Sequence, residues 1–469
     1  DIAVRMQNLY AQFNSSTIEI PDGVLLTHAH IGHYTGLMYF GKEAMNADKL
    51  NVYAMPRMKT FLEQIRLPDE KKILDYLEEV LSVSTINDLL FFHANQKKDR
   101  SLSKKMQFNL PLSPQVGGNL YALTQEILHL LNYTDHPVAF YISNDSGLNA
   151  SSFFNSNDDE PHYIVFNSGL LEKYSEAEMR FIIGHELGHL IYKHSIFNYV
   201  VDYIYPSGLP NFIKSIYQLW SNLSEMSADR IGSLAVDDSD MAMSAMFKMC
   251  SGLGMECLQV NSKHFMALND KLVADMITSR QNYLTETHPA NPLRIKALDV
   301  FYHSRLRNTF LKSRKLVRDN KLCRQTDELI ALLSEKTEDD MDQAALDFLA
   351  AAGYYLINSD GDVAAEEYDM LMNMLFDFHS WPPDYVRQLL KKKKIMNIIN
   401  KSASVIVEKC PQYVNSLFRT LVPLVTAKKR IKNDEIEALL TIAGKLKLSK
   451  PDAIEFILEK IKGKCQTAG

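Results

Sequence analysis

Phe181-Ile-Ile-Gly-His185-Glu186-Leu187-Gly188-His189-Leu190 sets two histidines four residues apart inside an apolar stretch. In a helix that spacing is one turn, so both imidazoles leave the same face and can turn a nitrogen toward one ion. Glu186 follows the first histidine and lies within reach of a water held at that ion, where a general base is needed. Phe181, Ile182, Ile183, Leu187, Leu190 and Ile191 frame the motif and predict a buried helix that keeps bulk water away.

Glu225 follows His189 by thirty-six residues, within Ser224-Glu225-Met226-Ser227-Ala228-Asp229-Arg230. A catalytic zinc takes three protein ligands and keeps a fourth position for water. Glu225 is the candidate third ligand beside His185 and His189. Asp229, four residues further and on the same helical face, is suited to accept a hydrogen bond from the far nitrogen of a ligand histidine and so fix its tautomer. A solvated acid pair near Arg230 is the structural alternative for these two carboxylates. His194, five residues past His189, has the wrong helical angle for a ligand and is expected at the surface or behind the metal site.

The combination His185-Glu-Leu-Gly-His189 with Glu225-x-x-Ala-Asp229 resembles the M48 family of zinc metallopeptidases, over roughly residues 60–310. Pro137-Val-Ala-Phe-Tyr-Ile-Ser143, Leu148-Asn149-Ala150-Ser151 and Tyr163-Ile-Val-Phe-Asn-Ser-Gly-Leu-Leu171 are similar to the strands that precede the zinc helix in that family. Thr287-His288-Pro289 with Pro292 and Arg294 is similar to its closing motif. The resemblance implies one catalytic Zn2+ on His185, His189 and Glu225, with Glu186 as the catalytic base. It also implies an edge strand at Asn149 and Ala150 that takes an extended peptide by β-augmentation. Zinc so held would lower the pKa of its water toward 7, and Glu186 would pass the proton to the leaving amine. His288 is the candidate catalytic donor to the developing oxyanion, with buttressing of a helix start at His-Pro as its alternative. Arg294 is expected to pair with an acid behind the metal site.

Composition bounds the rest. The chain has 469 residues, 46% apolar and 23% charged, with a formal net charge of −6, which describes a soluble protein of two to four domains. That balance gives no reason to expect a nucleic-acid partner. No run approaches eighteen apolar residues, so no transmembrane segment is expected, a departure from the many membrane-embedded members of the family. Five scattered cysteines favour a reducing, cytoplasmic compartment. The chain opens on Asp1, so an export segment removed upstream would make it periplasmic.

Val24-Leu-Leu-Thr-His28-Ala-His30-Ile-Gly32-His33 resembles the metal-binding strand-loop of the metallo-β-lactamase fold, with Gly32 in place of the acidic ligand. Residues 1–58 are too few for that fold and are expected to be an incomplete fragment without a working metal centre. Ile65 to Leu81 has apolar residues at helical spacing and reads as the start of the peptidase domain, residues 59–320. The polar stretch 312–326 is expected to be a junction.

Residues 321–469 read as an all-α bundle. Ala350-Ala-Ala-Gly-Tyr-Tyr-Leu-Ile-Asn-Ser-Asp360-Gly-Asp362-Val-Ala-Ala-Glu366-Glu367 resembles the short acidic signature of the TerB-like helical fold, and Leu421 to Glu437 repeats the layout more weakly. An EF-hand register would put Leu356 at the first ligand position, which excludes that motif. Asp360 and Asp362 are expected to cap a helix, with a divalent-cation site as the alternative. The sequence thus predicts a mainly α chain with a small β-sheet: a gluzincin-type zinc peptidase domain followed by an all-α bundle. The predicted activity is endopeptidase cleavage of extended or unfolded protein, with the bundle as a surface for a protein partner. The alternative is a metal-binding sensing protein whose peptidase site is idle or autoinhibited.

Overall fold

The computed structural model describes residues 24–26, 52–54, 58–96, 106–155, 160–209, 211–279, 283, 289–361, 363–391, 394–426 and 431–467. His28, His30, His33, Thr287, His288 and Asp362 lie outside the described residues. Near the start, β1 (Val24–Leu26) pairs in parallel with β2 (Val52–Ala54).

The described remainder is mainly helical, with one small sheet, as the sequence predicts. Helices α1 (Met58–Ile65), α2 (Pro68–Leu81) and α3 (Val83–Gln96) come first. Pro68 opens α2 and Asp69 and Glu70 stand in its first turn, where a missing N–H is harmless and negative charge suits the helix dipole. Then follow β3 (Leu110–Pro111), α4 (Gly118–Leu130), β4 (Val138–Ser143), β5 (Ala150–Phe153) and β6 (His162–Asn167). The sheet order is β3-β4-β6-β5, with β4 and β6 parallel and both outer strands antiparallel to their neighbours. Tyr163, Ile164, Val165 and Phe166 of β6 are all buried, so the centre of the sheet belongs to the core. β5 forms one edge and packs on the helix that carries the two histidines.

After the sheet come α5 (Ser168–Lys173), α6 (Glu176–Ile191), α7 (His194–Ile204), α8 (Asn211–Gly232), α9 (Ser239–Ser251), α10 (Ser262–Ser279), α11 (Asn291–Tyr302) and α12 (Arg305–Ser313). The bundle follows: α13 (Asn320–Ser334), α14 (Asp340–Ile357), α15 (Ala365–Leu375), α16 (Pro382–Lys391), α17 (Ile395–Lys409), α18 (Val414–Thr426), α19 (Asn433–Lys445) and α20 (Lys450–Thr467). Among the described residues, no helix is long and apolar enough to cross a membrane.

Among the described residues, two large buried apolar clusters organise these elements, beside a small third one of Met106, Tyr163 and Val165. One holds the sheet with α1, α4, α6, α9 and α11. The other joins α2, α7 and most of α8 to α13 and the bundle helices. α8 enters both: Ile213, Ile216, Leu219, Trp220, Leu223 and Met226 belong to the second cluster, Ile231 to the first. The polar stretch 312–326 therefore spans no gap in packing. Leu322 is buried there, and Arg230 of α8 donates from Nη2 to Thr326 Oγ1 at 2.9 Å.

Candidate metal centre

The helix carrying the two histidines starts from a complete capping box. Ser175 N–H donates to Glu178 Oε2 at 2.8 Å, and Glu178 N–H returns a bond to Ser175 Oγ at 3.4 Å. α6 then buries apolar side chains on all sides, as the sequence predicts. Its contact with α8 is made through glycine. A Cβ on Gly188 would stand 2.9 Å from Ala228 Cα, and one on Gly184 3.0 Å from Gly232 Cα. Backbone therefore meets backbone, and α8 comes close enough to present Glu225 and Asp229 to the histidines. Lys193, with φ of 58° in the left-handed region, ends the helix and turns the chain into α7.

His185, His189 and Glu225 meet at one point. The two Nε2 atoms are 3.1 Å apart. His185 Nε2 lies 3.5 Å from Glu225 Oε2, and His189 Nε2 lies 3.3 Å from Glu225 Oε1. Among the described residues, this is the group of three that could hold a metal ion. Tetrahedral zinc with bonds of about 2.0–2.1 Å separates its ligand atoms by roughly 3.3–3.4 Å, close to each of these separations, although the two carboxylate distances run to different oxygens. The donor set, two imidazoles and a carboxylate, is also one that zinc takes when it keeps an open position. Glu186, buried beside His185, contributes its charge to the surroundings of His189.

Behind the ligands lie two different sets of partners. His185 Nδ1 is 2.9 Å from Asp229 Oδ1. Arg294 of α11 grips Asp229 with two bonds, from Nε to Oδ2 at 2.6 Å and from Nη2 to Oδ1 at 2.8 Å. Its Nη1 stands 3.1 Å from Glu225 Oε2, so one guanidinium serves both acids. Burial alone would raise the Asp229 carboxyl pKa; Arg294 outweighs it and holds the value below the usual range. Burial likewise disfavours a charged His189, but Glu225 outweighs that and raises its pKa. The expected pairing of Arg294 with an acid is present. The alternative of a solvated acid pair is overturned: both carboxylates are buried against imidazole and guanidinium.

Behind His189 stands His194. Its Nδ1 is 2.8 Å from His189 Nδ1, and its Nε2 is 3.3 Å from Glu70 Oε1 of α2. His194 is 2% exposed and therefore not a surface residue; desolvation lowers its pKa to about 4. Glu70 went unnoticed in the sequence because it reads as an ordinary first-turn acid of an amphipathic helix. His194 is outside the group that could hold an ion and lies behind it, one of the two placements expected from the sequence.

Ala150 opens β5, paired in register with Phe166, and Asn149 O accepts from Asn167 N–H at 3.0 Å. These two residues thus sit at the start of an edge strand that packs on α6.

In the bundle, the two acidic turns are built alike. Glu367 Oε2 accepts from Ala364 N–H at 3.0 Å at the start of α15, and Glu435 Oε2 accepts from Lys432 N–H at 2.7 Å at the start of α19. Lys432 Nζ also lies 2.9 Å from Asp360 Oδ2, which ties one turn to the other.

Comparison with curated proteins and with solved structures finds no match. Residues 114–301, the stretch that carries α4, β4, β5, β6, α6, α8 and Arg294, match the model of Peptidase family M48, which supports a metallopeptidase.

Proposed function

We propose that this chain is a zinc-dependent endopeptidase acting on extended or unfolded protein segments. In this reading residues 59–320 form the peptidase unit and residues 321–469 a helical unit that engages a protein partner. The observation that carries it is the buried triangle of His185 Nε2, His189 Nε2 and the Glu225 carboxylate, with sides of 3.1, 3.5 and 3.3 Å.

His185, His189 and Glu225 would hold the ion, and zinc so bound supplies Lewis acidity toward water and the scissile carbonyl. Asp229 orients the His185 ring, and Arg294 holds Asp229 and Glu225 in register. Glu186, as carboxylate, takes the proton of the attacking water and returns it to the departing amine nitrogen. The buried frame of Phe181, Ile182, Ile183 and Leu187 excludes bulk water, which strengthens each of these interactions. The outer edge of β5, from Asn149 and Ala150, is the peptide-binding rail: main-chain groups there would pair with a substrate strand independently of its side chains. His288 remains the proposed oxyanion donor.

Zinc content and casein cleavage, measured on wild type and Glu186→Gln, test this reading. One zinc in each with cleavage by wild type alone supports it. Zinc in both without cleavage in either favours a binding or sensing role. Absence of zinc from wild type removes the reading.

A further inference from the structure

The two ligand histidines are oriented by different chemistry, and the second set of partners begins outside the stretch matched by the family model. His189 turns Nε2 toward His185 and Glu225, which leaves Nδ1 facing away from them, where it meets His194 Nδ1 at 2.8 Å. Two imidazole nitrogens at that distance share one proton. A ligating Nε2 needs its lone pair, so the proton belongs on His189 Nδ1 and His194 accepts it as a hydrogen bond. The proton of His194 then falls on Nε2, facing Glu70 Oε1 at 3.3 Å.

Glu70 is itself held by two further residues. Arg66 donates from Nε to Oε2 at 2.8 Å and from Nη2 to Oε1 at 2.6 Å. Ser227 of α8 donates from Oγ to Oε2 at 3.0 Å, and Leu67 N–H donates to Ser227 Oγ at 3.2 Å. Ser227 stands two residues beyond Glu225, so the chain of contacts closes on the helix that carries the third ligand candidate. Trp220 of α8 meets the His194 ring edge-on, with centroids 5.7 Å apart, and limits its rotation. A buried Arg66–Glu70 pair alone would be structural. A buried histidine placed between that carboxylate and a ligand histidine is what distinguishes this arrangement.

We propose that His194 and Glu70 are positioning residues that hold His189 in its metal-ligating tautomer, so that α2, through Glu70, forms part of the metal centre. The proposal rests on the metallopeptidase reading of the same site. Outer partners of a ligand histidine change metal affinity by roughly 10–100-fold when removed.

The test is zinc affinity of the full chain by chelator competition, for wild type, His194→Phe, His194→Asn and Glu70→Gln, alongside far-UV circular dichroism of each. Phe keeps the ring volume without an acceptor, whereas Asn returns an acceptor oxygen near the position of Nδ1. Expected are a 10–100-fold loss in His194→Phe, substantial recovery in His194→Asn and a smaller loss in Glu70→Gln. Wild-type affinity in His194→Phe overturns the relay while leaving the metallopeptidase reading intact. Should His194→Phe fail to fold, the other two variants decide: wild-type zinc affinity in Glu70→Gln, or a loss in His194→Asn as large as that expected of His194→Phe, overturns the proposal. A wild type that binds no zinc removes the reading of the site and the relay with it.

Discussion

Buried carboxylates occur both at the contact of α6 with α8 and at the paired acidic turns of the bundle, and they meet opposite partners. Glu367 and Glu435 stand in the first turn of their helices and accept from the backbone N–H groups at the helix starts, at 3.0 and 2.7 Å. Glu225 and Asp229 lie in the C-terminal half of α8, where backbone N–H groups are already spent on the helix ladder. Their oxygens instead face two imidazoles and the guanidinium of Arg294. Position within the helix therefore decides whether a buried acid stabilises a helix end or contributes to a site. The same residue type, a few turns from a cap, becomes available to an ion.

The sharpest way to break this contrast is to remove one acid of each kind. Glu225→Ala is expected to lower zinc affinity by at least about a thousandfold and to abolish cleavage, because only two ligands remain. Metal analysis after dialysis against a chelator, with a casein assay, reads the result. Glu367→Gln in the same assays should retain wild-type zinc.

Acid separates the regions next. The Glu70 carboxyl is driven upward by burial but more strongly downward by Arg66 and His194, to about 2 from 4.5. A folded value below the unfolded one means that its contribution is present above pH 4.5 and is lost as pH falls toward 2. That contribution is on the order of 3 kcal/mol at most. Urea titrations between pH 6 and 3 should show stability falling in wild type, with a shallower fall in Glu70→Gln; equal slopes would contradict the assignment.

Glycine gives the third comparison. A Cβ at Gly188 would meet the backbone of Ala228, whereas one at Gly353 in α14 would meet the tip of the Leu371 side chain. A side-chain tip can turn aside more cheaply than a helix backbone can move. Gly188→Ala should thus cost about 2 kcal/mol despite the helix propensity of alanine, and weaken zinc binding, while Gly353→Ala should cost less and leave zinc unchanged. Thermal melts and chelator competition together distinguish the two.

Much of the site was legible because its chemistry is local. The spacing of His185 and His189, the carboxylate of Glu186 beside them and the i+4 pair Glu225 and Asp229 each occupy a single helix. The buried α6 followed from its apolar frame, Phe181, Ile182, Ile183, Leu187, Leu190 and Ile191. What was not legible depends on chain distant in sequence. Glu70 is brought to His194 by the packing of α2 on α8, and nothing in its own helix marks it. Gly184 and Gly188 were visible as letters, but their role depends on which helix lies opposite. The continuity of the second apolar cluster from α8 into the bundle was hidden for the same reason, because Trp220 and Leu223 reveal their partners only once the helices are packed.

The smallest expected effects belong to the bundle. Glu367→Gln and Glu435→Gln each weaken one cap, at about 1 kcal/mol, and their melting temperatures should fall without change in metal content or cleavage.

The proposed function requires His185, His189 and Glu225 to hold one zinc. X-ray absorption at the zinc edge of purified full-length chain, with zinc content determined on the same sample and on Glu225→Ala, tests it most directly. Expected are one zinc per wild-type chain, in a shell of nitrogen and oxygen that includes two imidazoles, and loss of that zinc in the variant. A sulfur-containing shell, or an unchanged spectrum in Glu225→Ala, would contradict it.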